Sequence, residues 1–237
     1  RMDYFTDPQS PQTQLNDGNK AYISRYTLGR DYHKLIRSRL KKLIQYIREQ
    51  ADFYQFRAFV DSAPILERAF AQKAGLGWFG KNTMIINRGA GSWFFLGEIF
   101  TDLPLPLDTP YEKDHCGRCT ACLDNCPTQA FKGPYILDSR RCISYLTIEL
   151  KGSIPIELRS KMGNRIFGCD DCQLACPWNR FSKPSNELDF TPRHQLDSRS
   201  LVELFSWDEE TFLQKTEGSA IRRAGYESWL RNIAVAL

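Results

Sequence analysis

The stretch Cys116–Pro127, CGRCTACLDNCP, holds four of the eight cysteines of this 237-residue chain and decides what the fold is built around. Its spacing is C-x2-C-x2-C-x3-C-P. A second group, Cys169–Pro177 (CDDCQLACP), is spaced C-x2-C-x3-C-P, and Cys142 lies alone between the two groups. All the cysteines therefore fall in one region, which predicts a shared role for their thiols.

The first run has the spacing of bacterial 4Fe–4S ferredoxins, in which the cysteine before proline binds the other cluster. We therefore assign one cluster to Cys116, Cys119, Cys122 and Cys176, and the other to Cys126, Cys142, Cys169 and Cys172. Two structural zinc sites also use C-x2-C pairs and four thiolates, but zinc knuckles seldom show the x2-x2-x3 run. Disulfides are disfavoured because nothing in the sequence marks export. The sequence therefore predicts a region that moves electrons.

The composition is that of a globular chain, with 42% hydrophobic and 25% charged residues, which excludes collagen-like, low-complexity and disordered classes. No stretch approaches the roughly 18 apolar residues of a membrane span. The longest candidate, Ser92–Phe100, is short and interrupted by Glu98. Residues 1–20 are polar and lack the pattern of a secretory signal. We expect a cytoplasmic protein with no membrane partner.

Positive charge is concentrated near the N-terminal end, although the net charge is only 32 − 28 = +4. Eight cations face a single anion, Asp31, between Lys20 and Lys42. Leucine and isoleucine recur at three- and four-residue spacing over Asp31–Gln50, which predicts an amphipathic helix with a basic face. That face either tracks nucleic-acid phosphates or is merely solvated. Its cations are Arg30, Lys34, Arg37, Arg39, Lys41 and Lys42.

The remaining elements are read from periodicity and from glycine and proline. Residues 1–19 are predicted to be a flexible leader or loop because Pro8, Pro11 and Gly18 break regular structure. The glycine-rich run Ala74–Gly80 lacks the spacing of a phosphate-binding P-loop. A proline-rich connector at Leu103–Pro110 marks a boundary. Strands are predicted at Phe56–Val60, Thr83–Asn87 and Ser92–Phe100, and helices at Ile65–Ala74, Leu201–Trp207 and Glu209–Leu213.

The C-terminal stretch Ser219–Leu237 predicts a short helix, a glycine turn and an amphipathic helix, as at the start of an α-helical repeat. One such unit does not bury its own apolar face, because solenoid repeats need about three or more units. The chain is therefore expected to be cut short at this end.

Several motifs in order resemble the epoxyqueuosine reductase family. They are Tyr26–Leu43, Val60–Arg68 (VDSAPILER), Ala74–Asn82 (AGLGWFGKN), Gly91–Asp102, Arg141–Glu149 and Gly163–Asn179. The resemblance implies a cobalamin-dependent enzyme that reduces the epoxide of epoxyqueuosine in the tRNA anticodon loop to give queuosine. It further implies an external electron donor, and we expect a monomer.

The resemblance also implies an α+β fold with three parts after the leader at 1–19. These are a partial α/β corrinoid-binding domain at 20–108, a ferredoxin-like domain with two 4Fe–4S clusters at 109–185, and a linker with the first HEAT-like helices at 186–237. The family's first strands and helices lie upstream of anything matched here, so the corrinoid-binding domain is expected to be incomplete.

Asp61 matches the family's general acid, which implies a pKa raised by burial beside the corrin and apolar neighbours such as Val60 and Ile65. On sequence alone, an aspartate after a strand is more often a helix N-cap or a turn former. Lys81 and its glycines could equally form an ordinary turn with a solvated lysine. The implied cobalamin contacts are Asp61, Lys81, Asn82, Thr83, Ile85, Asn87, Leu96, Ser144 and Asp170.

Two other functions remain open from the residues: an iron–sulfur electron-transfer module without its own substrate, and a sibling corrinoid-dependent reductase of small molecules. Arg222, Arg223 and Arg231 are further candidates for RNA contact. The three histidines, His33, His115 and His194, lack ligand spacing. His115 adjoins Cys116 and could tune a cluster, but a surface role is favoured.

Overall fold

The computed structural model describes residues 1–6, 11–51 and 53–237. The helices are Pro11–Asn16 (α1), Tyr32–Gln50 (α2), Glu67–Lys73 (α3), Ala121–Asp124 (α4), Ile143–Ile148 (α5), Ile156–Met162 (α6), Asp171–Leu174 (α7), Leu201–Phe205 (α8), Glu209–Lys215 (α9) and Tyr226–Ala236 (α10). The strands are Met2–Asp3 (β1), Tyr22–Ile23 (β2), Phe56–Phe59 (β3), Trp78–Phe79 (β4), Ile85–Ile86 (β5), Phe94–Phe95 (β6), Glu98–Thr101 (β7), Phe131–Gly133 (β8), Ile136–Leu137 (β9) and Arg165–Phe167 (β10). Short 3-10 helices occupy Arg25–Thr27, Ser139–Arg141, Pro177–Phe181, Leu188–Phe190 and Ala220–Ala224.

Helix α2 confirms the amphipathic helix predicted from the sequence. Asp31 caps its N-terminus by accepting a hydrogen bond from the His33 backbone N–H. Tyr32 and Ile36 are the buried members of its apolar stripe. The basic residues project outward, and Arg39 forms an ion pair with Glu187 at 2.6 Å. Helix α2 therefore buries one face and offers a positive one to solvent.

The strands pair as two-stranded ladders within the described residues. Strand β3 pairs antiparallel with β7, and the register places Phe59 opposite Glu98. The strand predicted over Ser92–Phe100 is split into β6 and β7 near Gly97. A Cβ at Gly97 would lie 2.9 Å from Ile36 Cγ2, so only glycine lets helix α2 approach this closely.

The prediction of a flexible leader or loop over residues 1–19 is wrong for much of its described part. Strand β1 pairs with β6, and Tyr4 is only 5% exposed. Helix α1 begins at Pro11, because a proline at the first helical position gives up an N–H that has no partner there. Pro8 lies outside the described residues.

The largest apolar cluster crosses the predicted domain boundaries. Ile23 of β2 lies beside Phe167 of β10, to which β2 pairs in parallel. Trp229 and Ile233 of α10 pack into the same cluster and are fully buried. The apolar face of the C-terminal unit is therefore covered by other parts of the chain and not by further repeats. The division into domains stays a prediction.

The connector predicted at Leu103–Pro110 is irregular and largely exposed, and the Leu107 side chain is 98% exposed. No helix in the described ranges combines the length and apolar character needed to cross a bilayer.

Candidate functional site

Four thiols surround a cavity of about 250 Å³ at one side of the cysteine region. They belong to Cys116, Cys119, Cys122 and Cys176. Burial and the three neighbouring thiols together raise the pKa of Cys122 to about 11. The structure thus brings together the first set assigned from the sequence, including Cys176 from more than 50 residues away. We call this set the first quartet.

The other four thiols surround a second cavity of about 360 Å³. They belong to Cys126, Cys142, Cys169 and Cys172, which we call the second quartet. Burial raises the pKa of Cys172, and the thiols of Cys142, Cys122 and Cys126 raise it further. Because Cys122 belongs to the first quartet, the two quartets are neighbours.

The donor set around the thiols fits iron–sulfur clusters. The backbone N–H of Ala130 donates to Cys126 Sγ at 3.3 Å. Burial raises the pKa of Cys176, and the backbone N–H groups of Trp178 and Asn179 partly oppose this by favouring the thiolate. Burial also raises the pKa of Cys116, and the Trp78 indole N–H opposes this by favouring the thiolate. That N–H is buried and has no nitrogen or oxygen acceptor among the described residues. Hydrogen bonds to sulfur stabilise the ionised ligands of such clusters.

The thiols of each quartet are spread around a cavity and do not converge on a single metal-ion position. In the part of the chain that the structure describes, no three His, Cys, Asp or Glu side chains converge tightly enough to hold a single metal ion. Four thiolates in one place repel each other, so a bound cationic group is needed to hold them all ionised.

The turn after β4 joins the cysteine region to the rest of the fold. Lys81 Nζ donates to the carbonyl oxygens of Gly117 at 2.6 Å and Cys119 at 3.0 Å. Asn82 is 3% exposed and donates from Nδ2 to the Cys172 carbonyl at 3.2 Å. Lys81 therefore anchors the first cysteine loop and is not merely a solvated lysine in a turn.

Asp61 lies in the turn after β3, with a positive φ of 39°. Its Oδ2 accepts a 2.5 Å hydrogen bond from the Tyr32 hydroxyl and lies 3.0 Å from His33 Nε2. Its backbone N–H donates to Glu67 Oε1 at 2.5 Å. Asp61 does not cap α3, whose N-cap is Leu66, so its local role is that of a turn residue.

The expectation of a raised pKa for Asp61 is wrong in this structure. The hydrogen bond from His33 lowers the pKa of Asp61, the Tyr32 hydroxyl lowers it further, and together they outweigh the opposing effect of burial. The same contacts with Asp31 and Asp61 raise the pKa of His33 to about 9. Near neutral pH the pair is therefore an imidazolium beside a carboxylate.

Glu98 provides a second carboxyl group behind this turn. Burial and the adjacent Glu67 raise the pKa of Glu98 to about 7, and Glu67 is hydrogen-bonded to it. Sequence reasoning missed Tyr32, His33, Glu67 and Glu98. They come from three separate elements. A correct prediction that β3 pairs with β7 would have placed Glu98 near Asp61, and it is the one signal that could have done so.

A third cavity, of about 620 Å³, opens beside Asp61. Its wall includes Ile85 and Leu96, two of the predicted cofactor contacts. It shares Met84, Phe94 and Phe95 with the cavity of the second quartet, so the two cavities adjoin. The first quartet, the second quartet and Asp61 therefore follow one another through the molecule.

The other predicted cofactor contacts divide between the cavities. Asn82, Thr83, Ser144 and Asp170 line the second cavity, and Lys81 lines the first. Asn87 lines neither these cavities nor the third. It donates to the Leu76 carbonyl at 2.6 Å and accepts from the Gly89 N–H at 3.0 Å, which makes it a turn residue.

Asp170 is a buried carboxylate, 1% exposed, with a full set of donors. It accepts hydrogen bonds from Tyr22 Oη at 2.8 Å, Ser24 Oγ at 2.5 Å and Arg25 N at 2.8 Å. Burial raises the pKa of Asp170, while these three donors and the nearby Arg25 guanidinium favour its charged form. Asp170 therefore ties strand β2 and the following turn to the second cysteine group.

Some of the candidate RNA-binding cations are free to contact a ligand, and others are already engaged within the protein. Lys34, Arg37, Lys41 and Lys42 are exposed on α2. Arg231, by contrast, donates to the carbonyl oxygens of Leu146, Leu150 and Gly152, and Arg223 pairs with Glu149 at 2.8 Å. Arg222 donates to the Leu213 carbonyl at 3.1 Å.

The two remaining histidines lie on the surface or in a turn. His115 is exposed and stacks edge-on against Trp78 at 4.9 Å between ring centroids. His194 has a positive φ of 54°, and burial lowers its pKa.

Family models match two regions of the chain. Residues 115–179 match the 4Fe-4S double cluster binding domain, and residues 1–62 match "Epoxyqueuosine reductase QueG, DUF1730". Over 237 residues the chain is 63% identical to an epoxyqueuosine reductase of Pseudomonas aeruginosa and 60% identical to one of Escherichia coli. All of this chain is aligned in both, and it spans 66% and 62% of their lengths.

Solved structures agree with this similarity. The crystal structure of a selenomethionine-labelled epoxyqueuosine reductase matches with a TM-score of 0.89 at 32% identity, over 100% of this chain and 62% of that one. An epoxyqueuosine reductase with a tRNA-Tyr epoxyqueuosine-modified stem loop matches at 0.88 and 33%, with the same coverage. A Bacillus subtilis epoxyqueuosine reductase with an aspartate-bearing catalytic loop swung out of the active site matches at 0.87 and 32%, again over 100% and 62%. The mixed α/β fold and the double-cluster domain are thus shared with these proteins.

Proposed function

Because the chain belongs to the epoxyqueuosine reductase family, we propose that the protein reduces the epoxide of epoxyqueuosine in tRNA to queuosine, using cobalamin supplied with electrons by two 4Fe–4S clusters. The observation that carries this proposal is the succession of first quartet, second quartet and Asp61 along adjoining cavities. This order supports a path in which electrons pass through the two clusters toward the site where Asp61 donates a proton.

The reaction requires two electrons and two protons. Both carbon–oxygen bonds of the epoxide break, the oxygen leaves as water, and a carbon–carbon double bond remains. When bound, a corrinoid cobalt supplies the low-valent, carbon-directed reduction that iron–sulfur clusters alone do not provide.

This chain fits both kinds of cofactor. The first quartet would hold one cluster and the second quartet the other, each with four cysteine ligands. The third cavity, with Ile85 and Leu96 in its wall and Asp61 at its edge, would hold the corrinoid against the second quartet. Its volume of about 620 Å³, and a wall that combines apolar residues with a few polar ones, suit a large cofactor.

Asp61 would deliver the proton that the departing oxygen needs. The reservoir for that proton is His33, because the pKa of His33 is raised to about 9 and its Nε2 lies 3.0 Å from Asp61 Oδ2. The Tyr32 hydroxyl donates a hydrogen bond to the same oxygen. A bound substrate that excludes water would penalise the Asp61 carboxylate and favour transfer of the proton to it.

The exposed cations of α2 would contact the phosphates of the anticodon stem loop, with each neutralised phosphate adding salt-sensitive affinity. A tRNA substrate also accords with the cytoplasmic location expected from the sequence. The corrinoid-binding domain and the HEAT-like identity of α8 to α10 belong to this same proposal.

The test is reconstitution, in a protein spanning the full length of the relatives, with iron, sulfide and cobalamin. We expect corrin absorption to co-elute with the protein and epoxyqueuosine-containing tRNA to be converted to queuosine. Iron binding without any cobalamin binding would instead support an electron-transfer module. Bound cobalamin with no conversion of the tRNA, but reduction of small epoxides, would support a sibling reductase.

A further inference from the structure

The first quartet is the more open of the two. Of the eight cysteines, all within the described residues, Cys119 alone is exposed, and it belongs to the first quartet. Cys172 of the second quartet is enclosed within the molecule, beside the thiols of Cys126 and Cys142. An electron that enters from outside therefore reaches the first quartet before the second.

An aromatic group surrounds this opening. The Trp178 ring lies 5.1 Å from Trp78 and 5.7 Å from Phe181, measured between centroids. The His115 ring contacts both Trp78 and Trp178, and the His115 carbonyl accepts a hydrogen bond from Trp178 Nε1 at 3.3 Å. Phe181 is 40% exposed. The rim thus offers flat, partly apolar surface of the kind found at the centre of protein interfaces.

Cations frame the same rim. Arg118 is exposed between Cys116 and Cys119, and Arg180 lies in the cavity wall with its guanidinium over the Phe181 ring. Lys113 is exposed on the segment that leads to His115.

The nearby carboxylates are engaged locally. Asp114 accepts hydrogen bonds from the Cys116 N–H and the Tyr135 hydroxyl, and Asp124 accepts one from the Thr120 hydroxyl. Glu112, Asp114 and Asp124 are all exposed, so they lower the net positive charge of this region. A partner that docks on the rim therefore meets the cations Lys113, Arg118 and Arg180 beside these carboxylates.

We propose that this rim, formed by Lys113, His115, Arg118, Trp178, Arg180 and Phe181, is the docking surface for a small acidic electron-carrier protein. The inference rests on the proposed function, in which an external donor supplies the electrons. The residues named for the rim include three cations and three aromatic rings, counting His115, and no carboxylate. An acidic partner seated on them is complementary in charge at those cations and lies beside the exposed cysteine.

The electron balance is simple. Each encounter oxidises one carrier by one electron and reduces one cluster by one electron. Two encounters supply the two electrons that the epoxide reduction consumes. The two protons reach the departing oxygen through Asp61 and His33, and solvent reprotonates His33.

The test uses the reconstituted full-length protein and a reduced plant-type 2Fe–2S ferredoxin, an acidic carrier with a potential of about −400 mV. Stopped-flow absorption follows oxidation of the ferredoxin, and titration with oxidised ferredoxin measures its binding. The variant combines Lys113→Glu with Arg118→Glu. The control combines Lys151→Glu with Lys161→Glu, which makes the same charge change at exposed residues outside the rim.

We expect the rim variant to slow electron transfer from ferredoxin by about tenfold at low salt and to flatten its dependence on ionic strength. Binding of oxidised ferredoxin should weaken in parallel, while the control stays within twofold of the wild type. If both variants lose the same electron-transfer rate, the effect is one of net charge and the proposal is wrong. The proposal is also wrong if neither variant loses rate.

Affinity for the tRNA stem loop is measured on the same variants. If the rim variant loses tRNA binding and keeps normal ferredoxin kinetics, the rim is an RNA surface and the proposal is wrong. Failure of the proposed function is distinguishable, because it would appear as missing clusters or missing cobalamin in the wild type.

Discussion

The Tyr32 hydroxyl donates a 2.5 Å hydrogen bond to the Asp61 carboxylate, while the Tyr32 ring stacks on Phe95 with centroids 4.0 Å apart. Tyr32 is the first residue of α2, and Phe95 belongs to the wall shared by the second and third cavities. The position of Asp61 is therefore coupled to the basic helix and to the cavity next to the second quartet.

Replacing Asp61 with asparagine should abolish most turnover and leave the clusters intact. Asparagine preserves the size of the side chain but cannot donate the carboxyl proton, and general acid catalysis typically contributes about 10²- to 10⁴-fold. Conversion of epoxyqueuosine-containing tRNA measures the loss, and the cluster absorption serves as the control. Full activity in this variant would remove Asp61 from the mechanism.

Pairs of cysteine substitutions can test the membership of the quartets. Cys122→Ala with Cys176→Ala removes two ligands of the first quartet, so about half of the iron should remain. Cys122→Ala with Cys126→Ala removes one ligand from each quartet and should leave much less iron. This result would be informative because Cys122 is closer in sequence to Cys126 than to Cys176. Iron analysis and electron paramagnetic resonance distinguish the two outcomes. The reverse ranking would show that the quartets are composed differently.

The raised pKa of His33 predicts a specific dependence of stability on pH. The unfolded pKa is near 6.5 and the folded pKa about 9, so the native state binds more protons between these values. The free energy of unfolding should therefore fall as pH rises from 6.5 to 9, and this contribution is complete only below 6.5. Urea unfolding at pH 6 and pH 9.5 measures the slope.

The His33→Gln variant keeps a polar side chain but does not titrate, so its stability should be flatter across this range. His115→Gln, at an exposed histidine, is the matched control. An unchanged slope in His33→Gln would contradict the assignment of the proton to His33.

Glu98 should oppose stability at high pH. Its folded pKa of about 7 exceeds the unfolded value of 4.5, because burial and the Glu67 and Asp61 carboxylates disfavour ionisation. The native state thus holds an extra proton between pH 4.5 and 7, and stability falls as pH rises through that window. The difference in unfolding free energy between Glu98→Gln and the wild type should therefore be more favourable to the variant at pH 8 than at pH 5. Thermal unfolding compares it with the exposed Glu210→Gln, for which no such gain is expected.

The basic face of α2 should dominate the salt dependence of tRNA binding. Replacing Lys34, Arg37, Lys41 and Lys42 with glutamine removes up to four phosphate contacts. The slope of log affinity against log salt should then become shallower by about 0.7 to 0.9 for each lost contact. Fluorescence anisotropy with a stem loop provides the measurement. Glutamine at Lys132, Lys151, Lys161 and Lys183 is the control for charge alone, and an equal change there would contradict a specific role for α2.

The sequence by itself determined the elements whose signal is local. Cysteine spacing indicated both thiol quartets, because a ferredoxin-type run binds one cluster with its closely spaced cysteines and the other cluster with the cysteine before proline. The alternation of leucine and isoleucine with cations indicated α2, because an amphipathic helix has a 3.6-residue period. Proline and glycine marked the connector, although the same reasoning missed β1 and α1, which are stabilised by pairing with β6 and by proline at the first helical turn.

Only the tertiary structure decided the state of Asp61 and the order of the cavities. Tyr32, His33, Glu67 and Glu98 reach the Asp61 turn from α2, α3 and β7, so their effect on its pKa depends on distances that no sequence spacing encodes. The same is true of Trp229, whose apolar face is covered by residues far away in the chain. Burial and electrostatic shifts are sums over neighbours in space, and those neighbours exist only once the chain has folded.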